Sequence, residues 1–207
     1  ASLIQILKEA DLTRVSTRFI EESVRPYARH MQRAPYGFDF ALVDGRPSFR
    51  RDGWVKIGYF GTPGRDGQFD FIMDALIEAQ RRYDNLVIEF FGFIPQRANE
   101  LINLVELPYV DGYETCIQVL ADQKWDIGLA PLSDTAFNRS KLPTKYRDYA
   151  ATGAAGIYSR MAAYEDVVTN NRTGLVVGNT TAAWVESISR LVESQDLRES
   201  IANAAYD

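Results

Sequence analysis

The chain has 207 residues, 46% hydrophobic and 25% charged, with a formal net charge of −5, a single cysteine and a single histidine. That mix is the ordinary globular one and excludes a disordered chain, which could not offset the entropy of ordering. Cys116 and His30, each alone of its type, exclude an internal disulfide framework, a cysteine-based zinc site and a His-rich metal cluster.

From the N-terminus, residues read as a helix (Leu3–Ala10), a short strand (Leu12–Ser16), a helix (Thr17–His30) and a connection punctuated by Pro35, Gly37, Gly45 and Pro47. Ser16 or Thr17 is placed to cap the second helix, whose Phe19, Ile20, Val24 and Tyr27 share an apolar face. The strand has no partner within this stretch. A lone strand cannot satisfy its backbone groups, so it must pair elsewhere or be the remnant of a larger sheet. Residues 1–50 are therefore expected to be the tail of a preceding domain and a linker, with Phe19, Ile20 and Val24 packed on the domain that follows.

From Trp54 the pattern becomes regular, and residues 51–207 are expected to form one domain. Val55–Phe60, Leu86–Phe91, Leu104–Leu107, Asp126–Pro131, Gly156–Ser159 and Leu175–Val177 are short, apolar and β-rich. Helical stretches separate or follow them: Phe69–Tyr83, Tyr113–Gln123, Thr144–Ala151, Tyr164–Thr169, Ala182–Ser194 and Leu197–Ala205. Near-continuous apolar strands alternating with helices predict an α/β fold, a doubly wound, Rossmann-like parallel sheet with helices on both faces. Such sheets bind ligands beyond the C-terminal ends of their strands.

The first strand-to-helix junction, Gly58-Tyr-Phe-Gly61-Thr62-Pro-Gly64-Arg65-Asp-Gly67, lets backbone approach a ligand, and Arg65 adds a cation. It is neither a Walker A loop nor a dinucleotide fingerprint, and its residues fit a phosphate cradle or a plain tight turn. A second cluster, Ser133 to Tyr149, carries Arg139, Lys141 and Lys145 ahead of Asp148 and runs into a helix located by Pro143 and Thr144. Lys145 and Asp148 lie three apart and share a helical face. Charge pattern alone describes this cluster as a solvated face with an incidental ion pair. Cys116 sits on the apolar-patterned helix Tyr113–Gln123 and reads as a core residue.

From Trp54 to Tyr206 the chain resembles the nucleotide-binding C-terminal domain of a GT-B type glycosyltransferase, of the retaining family 4 (group 1) kind. The resemblance rests on Tyr59-Phe-Gly-Thr62, Trp125-Asp-Ile-Gly-Leu-Ala-Pro-Leu132, Phe137-Asn-Arg-Ser-Lys141, Lys145-Tyr-Arg-Asp-Tyr-Ala-Ala151 and Thr173-Gly-Leu-Val-Val177, taken in order. It extends to Tyr36-Gly-Phe-Asp39 at the linker and implies that most of an N-terminal acceptor domain is absent. It further implies a nucleoside-diphosphate sugar as donor substrate, no separate cofactor, and a role in surface polysaccharide synthesis. Gly61, Thr62 and Arg65 are implied to sit over the diphosphate, and Arg139, Lys141 or Lys145 to stabilise the leaving group. Asp148 is implied to hold the ribose, Phe91, Gly92 and Tyr109 to face the base, and Asn138 to join the donor contacts. Where the wider superfamily often has two glutamates eight positions apart, this chain has Ser140 and Asp148.

No Asp-x-Asp pair occurs in the sequence, so transfer without a metal is expected. The net acidity and the core-like setting of the aromatic residues set nucleic acid aside as a partner. No apolar run reaches the ~18 residues of a membrane span. No signal peptide is read at the N-terminus, which makes the cytoplasm the expected location, any peripheral membrane contact falling to the absent domain. A non-catalytic ligand-binding α/β module is the alternative function. A nucleotide-sugar epimerase is disfavoured, since His30, the one histidine, lies outside the main domain.

Overall fold

The computed structural model describes residues 2–34, 36–43, 45–62 and 70–207. Leu3–Glu9 (α1), Thr13–Val15 (β1), Arg18–Val24 (α2) and Met31–Arg33 (β2) form a small βαβ unit. The strand expected to lack a local partner has one: β1 pairs with β2 in parallel, Thr13 opposite Met31 and Val15 opposite Arg33. Thr17 caps α2, its side chain accepting from the Ile20 amide. This helix stops at Val24, not at His30, just ahead of Pro26, which has no amide to donate to the helical ladder. Phe19, Ile20 and Val24 are half-buried, and α2 has no fully buried residue. The unit meets the main domain through the Arg18 amide, which donates to Asp166 at 3.2 Å, and the connection after it through Gly37, whose carbonyl accepts from Arg147 at 3.1 Å.

The main domain runs Val55–Phe60 (β3), Asp70–Arg82 (α3), Leu86–Phe91 (β4), Leu104–Leu107 (β5), Tyr113–Gln123 (α4), Ile127–Ala130 (β6), Ala136–Arg139 (α5), Thr144–Thr152 (α6), Ala155–Ser159 (β7), Ala162–Glu165 (α7), Leu175–Val177 (β8), Thr181–Glu193 (α8) and Gln195–Tyr206 (α9). The one-turn α5 was not expected, and α7 falls earlier and shorter than the predicted Tyr164–Thr169. Phe69, the predicted first residue of α3, lies outside the described residues. The sheet has six parallel strands in the order β5-β4-β3-β6-β7-β8. Strand order therefore reverses between β3 and β6, and a crevice opens at the C-terminal ends of strands where connections diverge in this way.

Each face of the sheet has its own core. Ile57, Tyr59, Ile88, Phe90, Leu129 and Ile157 pack with residues of α3, α8 and α9 on one face. On the other, α4, α6 and α7 contribute Ile117, Leu120, Tyr149 and Tyr164. The second face holds a row of glycines, Gly58 opposite Gly128 and Gly128 opposite Gly156. A Cβ at these three positions would lie 1.8, 2.6 and 1.9 Å from the side chains of Trp125, Tyr149 and Tyr158 respectively. The missing side chains leave room for those aromatic rings against the sheet, and through Tyr149 they bring α6 close to the ends of β3 and β6.

Candidate active site

A cavity of about 290 Å³ opens at the C-terminal ends of β3 and β4. Its walls are Phe60, Gly61 and Thr62 after β3, Phe91 and Gly92 after β4, Tyr109 and Val110 after β5, Gly112, Tyr113 and Cys116 at the start of α4, and Thr144 and Lys145 at the start of α6. A larger concavity, about 780 Å³, is walled by α3, α8 and the turn Ala98–Glu100 rather than by strand ends. Several charges on its wall are paired, as in Arg97 with Asp74 at 2.8 Å and Glu100 at 2.6 Å.

Backbone hydrogen bonds stitch the strand ends together. The Gly61 amide donates to the Phe91 carbonyl at 3.0 Å, and the Gly92 amide donates to the Leu107 carbonyl at 2.9 Å. Gly92 has φ +77°, and a Cβ there would lie 2.6 Å from the Gly61 carbonyl oxygen and 3.3 Å from the Tyr109 ring. Only glycine takes this conformation cheaply at so close an approach. The Tyr109 ring, 54% exposed, stands at the rim.

Lys145 brings the positive charge. Its ammonium donates to the Phe60 carbonyl and lies 3.8 Å from the Phe60 ring centroid and 4.7 Å from that of Tyr59. Helices α4 and α6, which both begin at the cavity, have no side-chain cap, with Gly112 and Pro143 at their N-cap positions. By contrast α1, α2, α5, α8 and α9 are capped by Ser2, Thr17, Thr135, Thr180 and Ser194, while the short α7, opening on Met161 outside the cavity lining, is also uncapped. Uncapped helix starts present amide groups and a positive dipole end to whatever fills the cavity.

Other predicted site residues stand outside the lining. Arg139 forms a two-pronged ion pair with Asp134, at 2.6 and 2.8 Å, and both side chains are about half exposed. Lys141 lies 5.0 Å from the Phe137 ring centroid. Asn138 is buried, its amide group donating to the Ser133 carbonyl and hydroxyl, so it braces the turn that opens α5. Asp148 is buried behind Tyr113, whose hydroxyl donates to it at 2.7 Å. Burial pushes the Asp148 carboxyl above its ordinary range, against the opposing pull of Tyr113, Lys145 and Arg147. Burial also raises the Cys116 thiol, and burial together with the Asp148 hydrogen bond raises the Tyr113 phenol. Arg65, Gly64 and Gly67 lie outside the described residues. Tyr113 and Cys116 are cavity residues that sequence reasoning left as helix start and core. The available signal was a helix opening on Gly112 with no capping side chain.

The fold is that of the Rossmann-like C-terminal domain of GT-B glycosyltransferases. Among solved structures, the chain is similar to sucrose-phosphate synthase from Thermosynechococcus elongatus, at 15% identity and TM-score 0.71 over 98% of this chain and 54% of that one. It is also similar to Anabaena HepE in complex with UDP, at 12% identity and TM-score 0.76 over 97% and 59%. The C-terminal domain of a glycosyl transferase group 1 family protein (LpcC) from Francisella tularensis matches at 15% identity and TM-score 0.62, over 83% of this chain and 95% of that one. The chain thus spans little more than half the length of the first two, and at these identities the likeness is one of fold. No family model and no curated protein sequence matches the chain.

Proposed function

We propose that residues 51–207 are the donor-binding domain of a retaining, family 4 type glycosyltransferase that moves a sugar from a nucleoside-diphosphate sugar to an acceptor. The observation that carries this reading is the convergence of two uncapped helix starts and Lys145 on one cavity at the point where strand order reverses. Breaking a sugar–phosphate bond leaves growing negative charge on the diphosphate, and fixed cations and helix amides aimed at that charge lower the barrier. Lys145, held by the Phe60 carbonyl, is the candidate for that task, whereas Arg139 and Lys141 do not line the cavity. Tyr109 supplies an aromatic face for a base.

Among the described residues no group of three or more His, Cys, Asp or Glu side chains could hold a metal ion, and none of their helices is long and apolar enough to cross a membrane. The acceptor surface is assigned to a domain outside these 207 residues, a reading supported by the half-length match to sucrose-phosphate synthase. Positioning an acceptor hydroxyl accounts for much of the barrier reduction in group transfer, so the chain alone is expected to bind donor and transfer no sugar. A cytoplasmic role in surface polysaccharide synthesis completes the proposal. The alternative, a non-catalytic nucleotide-binding module, is favoured by one observation: Arg139 is engaged with Asp134 away from the cavity.

Calorimetric titration with nucleoside diphosphates in chelator tests binding. Saturable binding is expected. Failure of uridine, guanosine, adenosine and thymidine diphosphates alike at millimolar concentration overturns the reading, and sugar turnover by a longer protein carrying both domains separates the enzyme from the module.

A further inference from the structure

Asp148 and Tyr113, 35 residues apart, share a hydrogen bond in which the phenol donates to the carboxylate. Asp148 is 1% exposed and is not among the residues lining the cavity, whereas Tyr113 is 53% exposed and lines it. The Asp148 carboxylate is thus held in the wall of α6, and the phenol of Tyr113, which lines the cavity, donates to it. The carboxylate accepts a hydrogen bond from the phenol at 2.7 Å, which directs the phenol hydrogen to Asp148 and leaves the other side of the Tyr113 oxygen with lone pairs only.

Resting on the nucleotide-binding reading above, we propose that Tyr113 is the ribose-recognition residue, its phenol oxygen accepting a hydrogen bond from a ribose hydroxyl, and that Asp148 is the positioning residue behind it. A phenol that donates to a carboxylate becomes a better acceptor, because hydrogen bonds in a chain polarise one another. Its rotor is also fixed: with the proton committed to Asp148, the outer side of the oxygen suits a hydroxyl donor and finds no partner in a deoxyribose C–H. The arrangement selects ribonucleotides over deoxyribonucleotides. Lys145 and Arg147 are the cations that act on Asp148, and Cys116 stands on the adjacent turn of α4.

The test is the ratio of dissociation constants for a nucleoside diphosphate and its 2′,3′-dideoxy form, measured with uridine and guanosine diphosphates on wild type, Tyr113→Phe and Asp148→Asn. Wild type is expected to favour the ribose form by about tenfold, the scale of one hydrogen bond. Tyr113→Phe is expected to bring that ratio close to one by weakening the ribose form alone. Asp148→Asn, whose amide oxygen still accepts from Tyr113, is expected to keep about threefold. A full ratio in Tyr113→Phe overturns the proposal, and loss of the ratio in Asp148→Asn alone transfers the contact to the carboxylate. Absence of any diphosphate binding by wild type removes the nucleotide reading itself.

Discussion

Gly128 on β6 lies directly beneath the ring of Tyr149 on α6, so that a Cβ there would come within 2.6 Å of it. Tyr149 is fully buried and its hydroxyl donates to the Leu129 carbonyl at 2.6 Å, which leaves the ring no free direction in which to retreat. Because α6 also carries Lys145 and Asp148, a packing detail of the sheet sets the position of the candidate site. Gly128→Ala is expected to cost about 1–3 kcal/mol of stability through overpacking and to weaken nucleotide binding with it. Gly178→Ala, with nothing within 4 Å of the added methyl, is the control and is expected to stay within about 0.5 kcal/mol. Urea unfolding of the two variants checks the contrast.

Lys145 and Arg139 are expected to separate. Lys145 lines the cavity, and truncating it to Ala removes a charge-assisted contact to phosphate of about 1.5–3 kcal/mol, roughly tenfold or more in affinity. Affinity for the uncharged nucleoside should change little. Arg139→Ala removes a surface ion pair with Asp134, and diphosphate affinity should shift less than about twofold, as exposed pairs contribute little. Parallel titrations of diphosphate and nucleoside decide. An equal loss for both ligands in Lys145→Ala would place its role in packing.

Cys116 offers a chemical probe, since it is the only cysteine and lines the cavity. Burial raises its thiol, so alkylation by a maleimide should be slow at neutral pH and faster as pH rises. Saturating nucleoside diphosphate is expected to slow it further. Mass spectrometry of the single adduct reads the rate, and labelling unchanged by nucleotide puts the ligand elsewhere.

Asp148 predicts a pH dependence with a definite sign. Burial raises its native pKa above the ordinary 3.8, so folding favours the protonated form. Its stabilising contribution is complete below the ordinary carboxylate range and is lost as pH rises through the raised native value. Asp148→Asn removes this titration and keeps an acceptor for Tyr113. The melting temperature of the variant minus that of wild type should therefore become more positive from about pH 4 to about pH 7. Thermal unfolding across that range measures it, and a flat difference shows that the carboxyl does not titrate anomalously.

The alternation of short apolar runs with amphipathic helices was enough to specify a parallel sheet covered on both faces. Strands buried on two sides are apolar at nearly every position, as Val55–Phe60 and Leu86–Phe91 are. Met31–Arg33 carries no such signal, since it is a largely exposed strand, and the early stop of α2 falls just ahead of Pro26, which lacks an amide donor. Loop chemistry after the first strand of the domain pointed to Gly61 and Thr62, the charge cluster to Lys145, and the family resemblance implied Phe91, Gly92 and Tyr109. Tertiary structure brings all six into one cavity. What the chain order could not convey was the competition for each polar group. Asp134, five residues before Arg139, takes that guanidinium locally, whereas Tyr113 reaches Asp148 from 35 residues away, across α4 and α6 packed on the glycine-lined face of the sheet. Partners at such a distance are selected by packing, which no local pattern of residues encodes.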